Sequence, residues 1–489
     1  MDSHAKARPV AFALAIVTVF ATVFSGCHHT TSETSVNAPP TPSGPPTLKI
    51  TEKSLGTITG TIIHSMVSPD GRHFACTSER GGKTFVIVDG VEREKEYQFA
   101  FDTAAFSPDS KRFVYSAKRG DKWFFVVDGA EEKEYDGVWW QSAFSPDSKH
   151  FAYVAIRGGK WLVVLDGVEE KKYDGAGSPE FSPDSKRTVY WAAHGETSFY
   201  VIDGVAGKEY TYVSGHIFSP DSRHAAYVAT RGDKHRVIVD NAEGKEYDSI
   251  EGPVFSPDSQ HFAYAAWRDD KWITVVDGVE GKEYDIVSES PVFSPDSRRI
   301  AYEVRNRGKY FVVVDNAEAK RHDSVWKPSF SPDSRRFAYE AVRGNKWFYV
   351  LDGVEGKEYD LVNIEGELCG DEEGPIFSPD SKHFAYAAWR GEEYFFVLDG
   401  VEGKGYNRSI TNPAFSPDSK HFAYTARDLK GVVVVVDGIE SKGKYDYIIG
   451  PFVFDSVNRF HAIARRGNEF FSIDVEIMPG PTPAATPAP

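Results

Sequence analysis

Arginine and lysine recur three positions apart in this chain, as Arg119 and Lys122, Arg157 and Lys160, Arg231 and Lys234, and Arg343 and Lys346. The residues between them are Gly-Gly, Gly-Asp or Gly-Asn, which favour the positive φ of a two-residue hairpin, so each cation pair flanks one tight turn. Gathered on one face, such turns would make a basic ring for an anionic polymer or an acidic partner; charge placed at hairpins for solubility is the simpler alternative. Residues 363–374 carry the opposite chemistry. Glu365, Glu367, Asp371, Glu372 and Glu373 crowd into the one large insertion of an otherwise regular chain, which makes it a candidate binding loop. Carboxylates attract Ca²⁺, but the spacing is not that of an EF-hand loop, and a solvated acidic loop is expected.

Histidine also recurs, at His73, His150, His224, His261, His383 and His421, but Arg112, Arg187, Arg299 and Arg336 fill the same slot in other copies. A metal ligand would not exchange with a guanidinium, so no metal and no cofactor is expected. There is no G-x-S-x-G elbow, P-loop or H-E-x-x-H pair. The positions expected to line the centre of the fold repeat nearly unchanged, whereas catalysis needs a few unlike groups to converge. A non-enzymatic protein is the expectation.

These groups are positioned by a repeat. The Pro of a Ser-Pro-Asp turn falls at Pro69, Pro108, Pro146, Pro183, Pro220, Pro257, Pro295, Pro332, Pro379 and Pro417, with spacings of 37–39 residues apart from one of 47. A worn eleventh copy follows near Val453 to Asp474. Within each unit four short extended runs alternate with turns. In the sixth they are Pro253 to Ser256, His261 to Trp267, Trp272 to Val276 and Lys282 to Val287. Large and small residues alternate along the second run, the period of a strand with unequal faces. A four-stranded unit of this length cannot cover both its own faces, so copies must stack, and radial stacking leaves only short edges. The repeat therefore predicts an all-β propeller of about eleven four-stranded blades, one large ring being favoured over two tandem smaller ones. The Phe of the first run and the Tyr of the second are expected between blades. The eleventh copy has only three strands, and Lys53 to Gly60 is expected to supply its fourth.

The run F-S-P-D-S-K-H-F-A-Y, with V-V-D-G after it, resembles the WD40-like PD40 repeat of TolB-type propellers over most of the chain. That resemblance implies a propeller. The chain departs from the pattern in carrying Ser after the Asp in most copies, Gly71 being the exception, and in lacking a preceding α/β domain, so no Tol-system role is implied.

The termini have a different character. Lys6 and Arg8 precede an apolar run from Val10 to Phe24, too short for a comfortable membrane span and typical of a secretory signal. With Phe24-Ser25-Gly26-Cys27 it resembles a bacterial lipobox, which implies cleavage after residue 26 and lipidation of Cys27. Residues 27–47 are Ser, Thr and Pro-rich and read as a tether, 48–478 as the propeller, and 479–489 as a Pro-rich tail. Cys76 and Cys369 lie in different copies, and no disulfide framework is expected. The formal charge of -16 argues against nucleic acid. A monomeric, lipid-anchored platform in the bacterial cell envelope is expected, with an envelope protein or polysaccharide as partner; a propeller hydrolase or lyase with its site in the central channel is the alternative.

Overall fold

The computed structural model describes residues 46–93, 97–100, 103–287, 290–362 and 375–480. Cys27, Cys369 and the carboxylates Glu365, Glu367, Asp371, Glu372 and Glu373 lie outside the described residues. Every element is a β-strand. Eleven antiparallel sheets form one ring, an eleven-bladed propeller. Blades 1 to 10 span 61–92, 99–131, 137–173, 175–206, 212–243, 249–284, 286–318, 324–355, 361–402 and 409–440.

The eleventh blade is assembled from both ends of the folded chain. Tyr447–Ser456, Arg459–Arg466 and Glu469–Met478 are its first three strands, and Thr47–Thr57 is the fourth. The last pair runs from Thr47 opposite Met478 to Thr57 opposite Glu469. The closing strand is thus the expected one, beginning six residues earlier than Lys53 and ending before Gly60. It covers an edge whose apolar residues Ile473, Val475 and Ile477 are buried. Without it that edge would offer unpaired backbone to other chains.

Two turns set the hairpins. Between the second and third strands Gly158 and Gly159 have φ of 61° and 72°, and between the third and fourth Asp128 and Gly129 have 51° and 84°. Two successive positive φ values match the strand twist, and Asn, Asp and Gly tolerate them. The fourth strand starts immediately after Asp-Gly, as in Val279–Tyr284, which corrects the expected start at Lys282. Ile286–Val287, expected to end that strand, instead opens the first strand of blade 7 by pairing with Arg305 and Val304. The Tyr-Asp step before it is the link between blades, and its Tyr turns back to bridge its own third strand, as Tyr135 does with Trp123.

The core is a set of interblade layers. Val114 and Phe125 of blade 2 pack with Phe151, Tyr153, Leu162 and Val164 of blade 3, together with Tyr135 of the link. Because a neighbour covers each face, the second strand is buried almost continuously, as Phe151 to Ala155. Cys76 sits in such a strand, fully buried as a free thiol, and burial pushes its pKa up to about 12. A thiol held neutral at ordinary pH is a packing residue.

Candidate functional site

First strands are innermost. Those of neighbouring blades lie against one another, as Gly137–Phe144 does against Gly175–Phe181. Fourth strands end the sheets at the periphery, where Val168, Val205, Val279, Val354 and Val401 stand exposed. The first strand therefore borders the central opening of the ring.

That strand is broken in its middle. Pairing shifts between Val138 and Ser142, Gly177 and Glu180, Ser214 and Ile217, Glu251 and Val254, Trp326 and Ser329, and Thr411 and Ala414. One residue at each of five of these bulges has positive φ: Ser178, Gly215, Gly252, Lys327 and Asn412. A bulge turns side chains out of the pleat. Its residues differ from blade to blade: Trp139-Trp140-Gln141, Gly177-Ser178-Pro179, Ser214-Gly215-His216, Glu251-Gly252-Pro253, Trp326-Lys327-Pro328 and Thr411-Asn412-Pro413. The expectation that the central lining repeats unchanged is thereby overturned, because the repeated Phe-Ser-Pro-Asp motif occupies only the end of that strand.

Among the described residues the exposed large aromatics are Phe99, Trp139, Trp140, Tyr212, Trp326 and Tyr447, and all six lie in the opening half of an inner strand. Several are braced from behind. Trp326 stacks on Trp347 with centroids 4.8 Å apart and planes 12° apart, Trp139 meets Trp161 edge-on at 5.0 Å, and Phe99 meets Trp123 at 5.8 Å. Trp140 is 62% exposed. None of the six figured among the residues expected to bind. The signal available was the stretch between Tyr-Asp and Phe-Ser-Pro-Asp, where copies differ most.

The basic turns are brought to one face, but each cation has an internal partner. Arg119 reaches Glu131 at 2.6 Å, Arg157 reaches Glu169 at 2.7 Å, Arg343 reaches Glu355 at 2.6 Å, and Arg231 lies 4.0 Å from Glu243. Lys122 and Lys346 bind Asp136 and Asp360 at 2.6 and 2.5 Å, and Lys160 and Lys234 bind Asp174 and Asp248. These aspartates are held below the usual carboxylate range, foremost by the lysine bond. The other oxygen of Asp136 accepts from the Gly158 amide of the next blade at 2.7 Å. The turns thus act first as interblade ties.

The opposite face carries a second tie. Ser145 donates to Asp147 within its own turn, and the Asp147 amide donates 2.9 Å to the hydroxyl of Ser185 in the next blade. The same link runs from Asp70 with Ser110 to Asp380 with Ser419. Ser148 and Ser185 hold the positive φ, 64° at each, that glycine would adopt freely. The interblade bond gives the physical reason for Ser over Gly. Gly71 is different because blade 11 has no such turn: a Cβ there would stand 3.1 Å from Val453 and 3.3 Å from His461.

The His/Arg slot is equally structural. His150 lies 2.7 Å from Asp166, and Arg112 donates 2.9 Å to Asp128, the equivalent residue. Among the described residues no cluster of three metal-ligating side chains exists. Two departures from the repeat meet at the blade 4 and 5 boundary, where His216 replaces Pro179 of blade 4 and lies 3.1 Å from Glu180.

No family model matches this chain, and no curated protein does. Similar solved structures include a eukaryotic initiation factor (12% identity, covering 62% of this chain and 89% of that one, TM-score 0.39). TolB from Acinetobacter baumannii is similar at 17% identity, over 47% of this chain and 65% of that one, TM-score 0.24. The β-propeller domain of the Trilobed protease from Pyrococcus furiosus is similar at 14% identity, over 54% and 92%, TM-score 0.27. The eleven-bladed ring itself is read from the strand pairing.

Proposed function

We propose that this protein is a non-catalytic binding platform of the bacterial cell envelope, held to a membrane by lipidated Cys27 through the tether 27–47, that docks an envelope macromolecule across its inner rim. The observation that supports this reading is the confinement of every exposed large aromatic among the described residues to the inner strands. Exposed aromatics that share one strand position around a ring mark an interaction surface, whereas single ones scattered over all strands do not. The interblade ties on both faces brace that surface, so little ordering entropy opposes binding.

Crosslinking in intact cells tests the platform. A photo-reactive residue in place of Trp140 or Trp326 is expected to trap an envelope component, and one in place of Val279 on the outer strand is not. Equal yields from all three positions would remove the rim as the binding surface. Cys27→Ala is expected to abolish acyl labelling and release the protein from membranes; unchanged membrane retention would refute the anchor.

A further inference from the structure

Building on the rim as the binding surface, we infer that its ligand is a neutral polysaccharide of flat, equatorially substituted pyranose units, stacked on Trp140, Trp139 and Trp326. An electron-rich indole face attracts groups that carry partial positive charge, and the axial C–H groups on the face of such a sugar do so. Trp326 is held against Trp347 and Trp139 against Trp161, so the plates are set before the ligand arrives. Gln141, a hydrogen-bonding side chain, follows Trp140 in the chain. The Gln141 carbonyl accepts from the Ser178 amide of blade 4 at 2.8 Å, which fixes the bulge.

Two observations select this ligand over others. An anionic polymer would be repelled by the formal charge of -16, and the hairpin-turn cations Arg119, Lys122, Arg343 and Lys346 are ion-paired internally. A folded protein partner would call for a contiguous apolar core to its interface. Here the aromatics are separate plates on blades 2, 3, 5, 8 and 11, divided by blades whose bulges are polar or small, such as Gly177-Ser178 and Glu251-Gly252. Discrete plates suit a chain of repeating units that stack one at a time.

The test is titration of the full chain in detergent micelles with cellohexaose and with chitohexaose, followed by tryptophan emission, with polygalacturonate as the anionic comparator. Saturable binding of a neutral hexamer is expected, weakened about tenfold by Trp140→Ala, as loss of one stacking plate implies. Val279→Ala, exposed on the outer strand, should bind as the parent does. Absence of saturable binding to either neutral hexamer, an unaltered affinity for Trp140→Ala, or tighter binding of polygalacturonate would overturn the inference. If neither hexamer binds while a photo-reactive residue at position 140 traps one defined protein in cells, the polysaccharide is refuted and the platform stands. If neither hexamer binds and nothing is trapped, both fall.

Discussion

Tyr445 donates a hydrogen bond of 2.7 Å to Glu52, although 393 positions separate them in the chain. The same bond joins Tyr135 to Glu169, Tyr247 to Glu280 and Tyr406 to Glu440, each time from the link of one blade to the fourth strand of the next. Arg466 completes the set by donating 2.9 Å to Glu52, as Arg390 does to Glu402 at 2.8 Å. The closing strand therefore restores a standard interblade latch as well as a missing strand. These bonds hold Glu52 below the usual carboxylate range.

Closure should dominate stability. Deleting 46–57 would uncover the edge strand Glu469–Met478, and an oligomeric or aggregated product is expected in size-exclusion chromatography. Tyr445→Phe keeps the strand and removes only the latch, so a loss of about 1 kcal/mol in chemical denaturation is expected. A monodisperse, undiminished deletion variant would show that the ring does not depend on its closing strand.

The serine ring predicts an order of variants. Ser148→Ala loses the bond from the Asp109 amide and keeps a strained φ of 64°, while Ser148→Gly loses the bond but relaxes the backbone. Stability in chemical denaturation should fall in the order parent, Gly, Ala, with Ala down by about 1 kcal/mol for the lost part-buried bond. Equal stability of the Ala variant and the parent would rule out the tie.

Asp136 should matter more than its lysine. Lys122→Ala breaks a half-exposed ion pair worth up to about 1 kcal/mol, whereas Asp136→Ala also removes the interblade bond from the Gly158 amide. Denaturation midpoints should drop further for Asp136→Ala, and added salt should narrow only the lysine effect.

One link replaces the latch with a longer contact whose strength should depend on pH. His322 stands where other links have Tyr, with Glu355 4.0 Å away, Tyr339 and Phe348 against its ring, and Arg343, Lys320 and Asp323 nearby. Burial lowers its pKa below the ordinary value of 6.5. The unfolded chain then takes up the proton first, so this site contributes fully above about pH 6.5 and progressively less as the pH falls below it. His322→Tyr should flatten the decline of melting temperature between roughly pH 7 and 5 relative to the parent. An identical decline in both proteins would remove His322 from the acid response.

The amino-acid sequence by itself determined the repeat, the four-strand unit and the propeller, because alternation of Phe, Ala and Tyr in runs such as Phe151 to Ala155 and the Asp-Gly and Gly-Gly turns act over neighbouring residues; the closing segment followed from the eleventh copy having only three strands. Tertiary structure alone decided what the recurrent polar groups do. Lys122 reads as a surface cation until Asp136, in the link to the next blade, folds back onto it. Ser148 reads as an ordinary turn residue until its hydroxyl meets the Asp109 amide 39 positions earlier. The inner rim was hidden for a related reason. The stretch holding Trp139 and Trp140 belongs to a strand whose place at the centre follows only from the ring, since which edge of each sheet faces the opening is set by how the blades stack and not by local pattern.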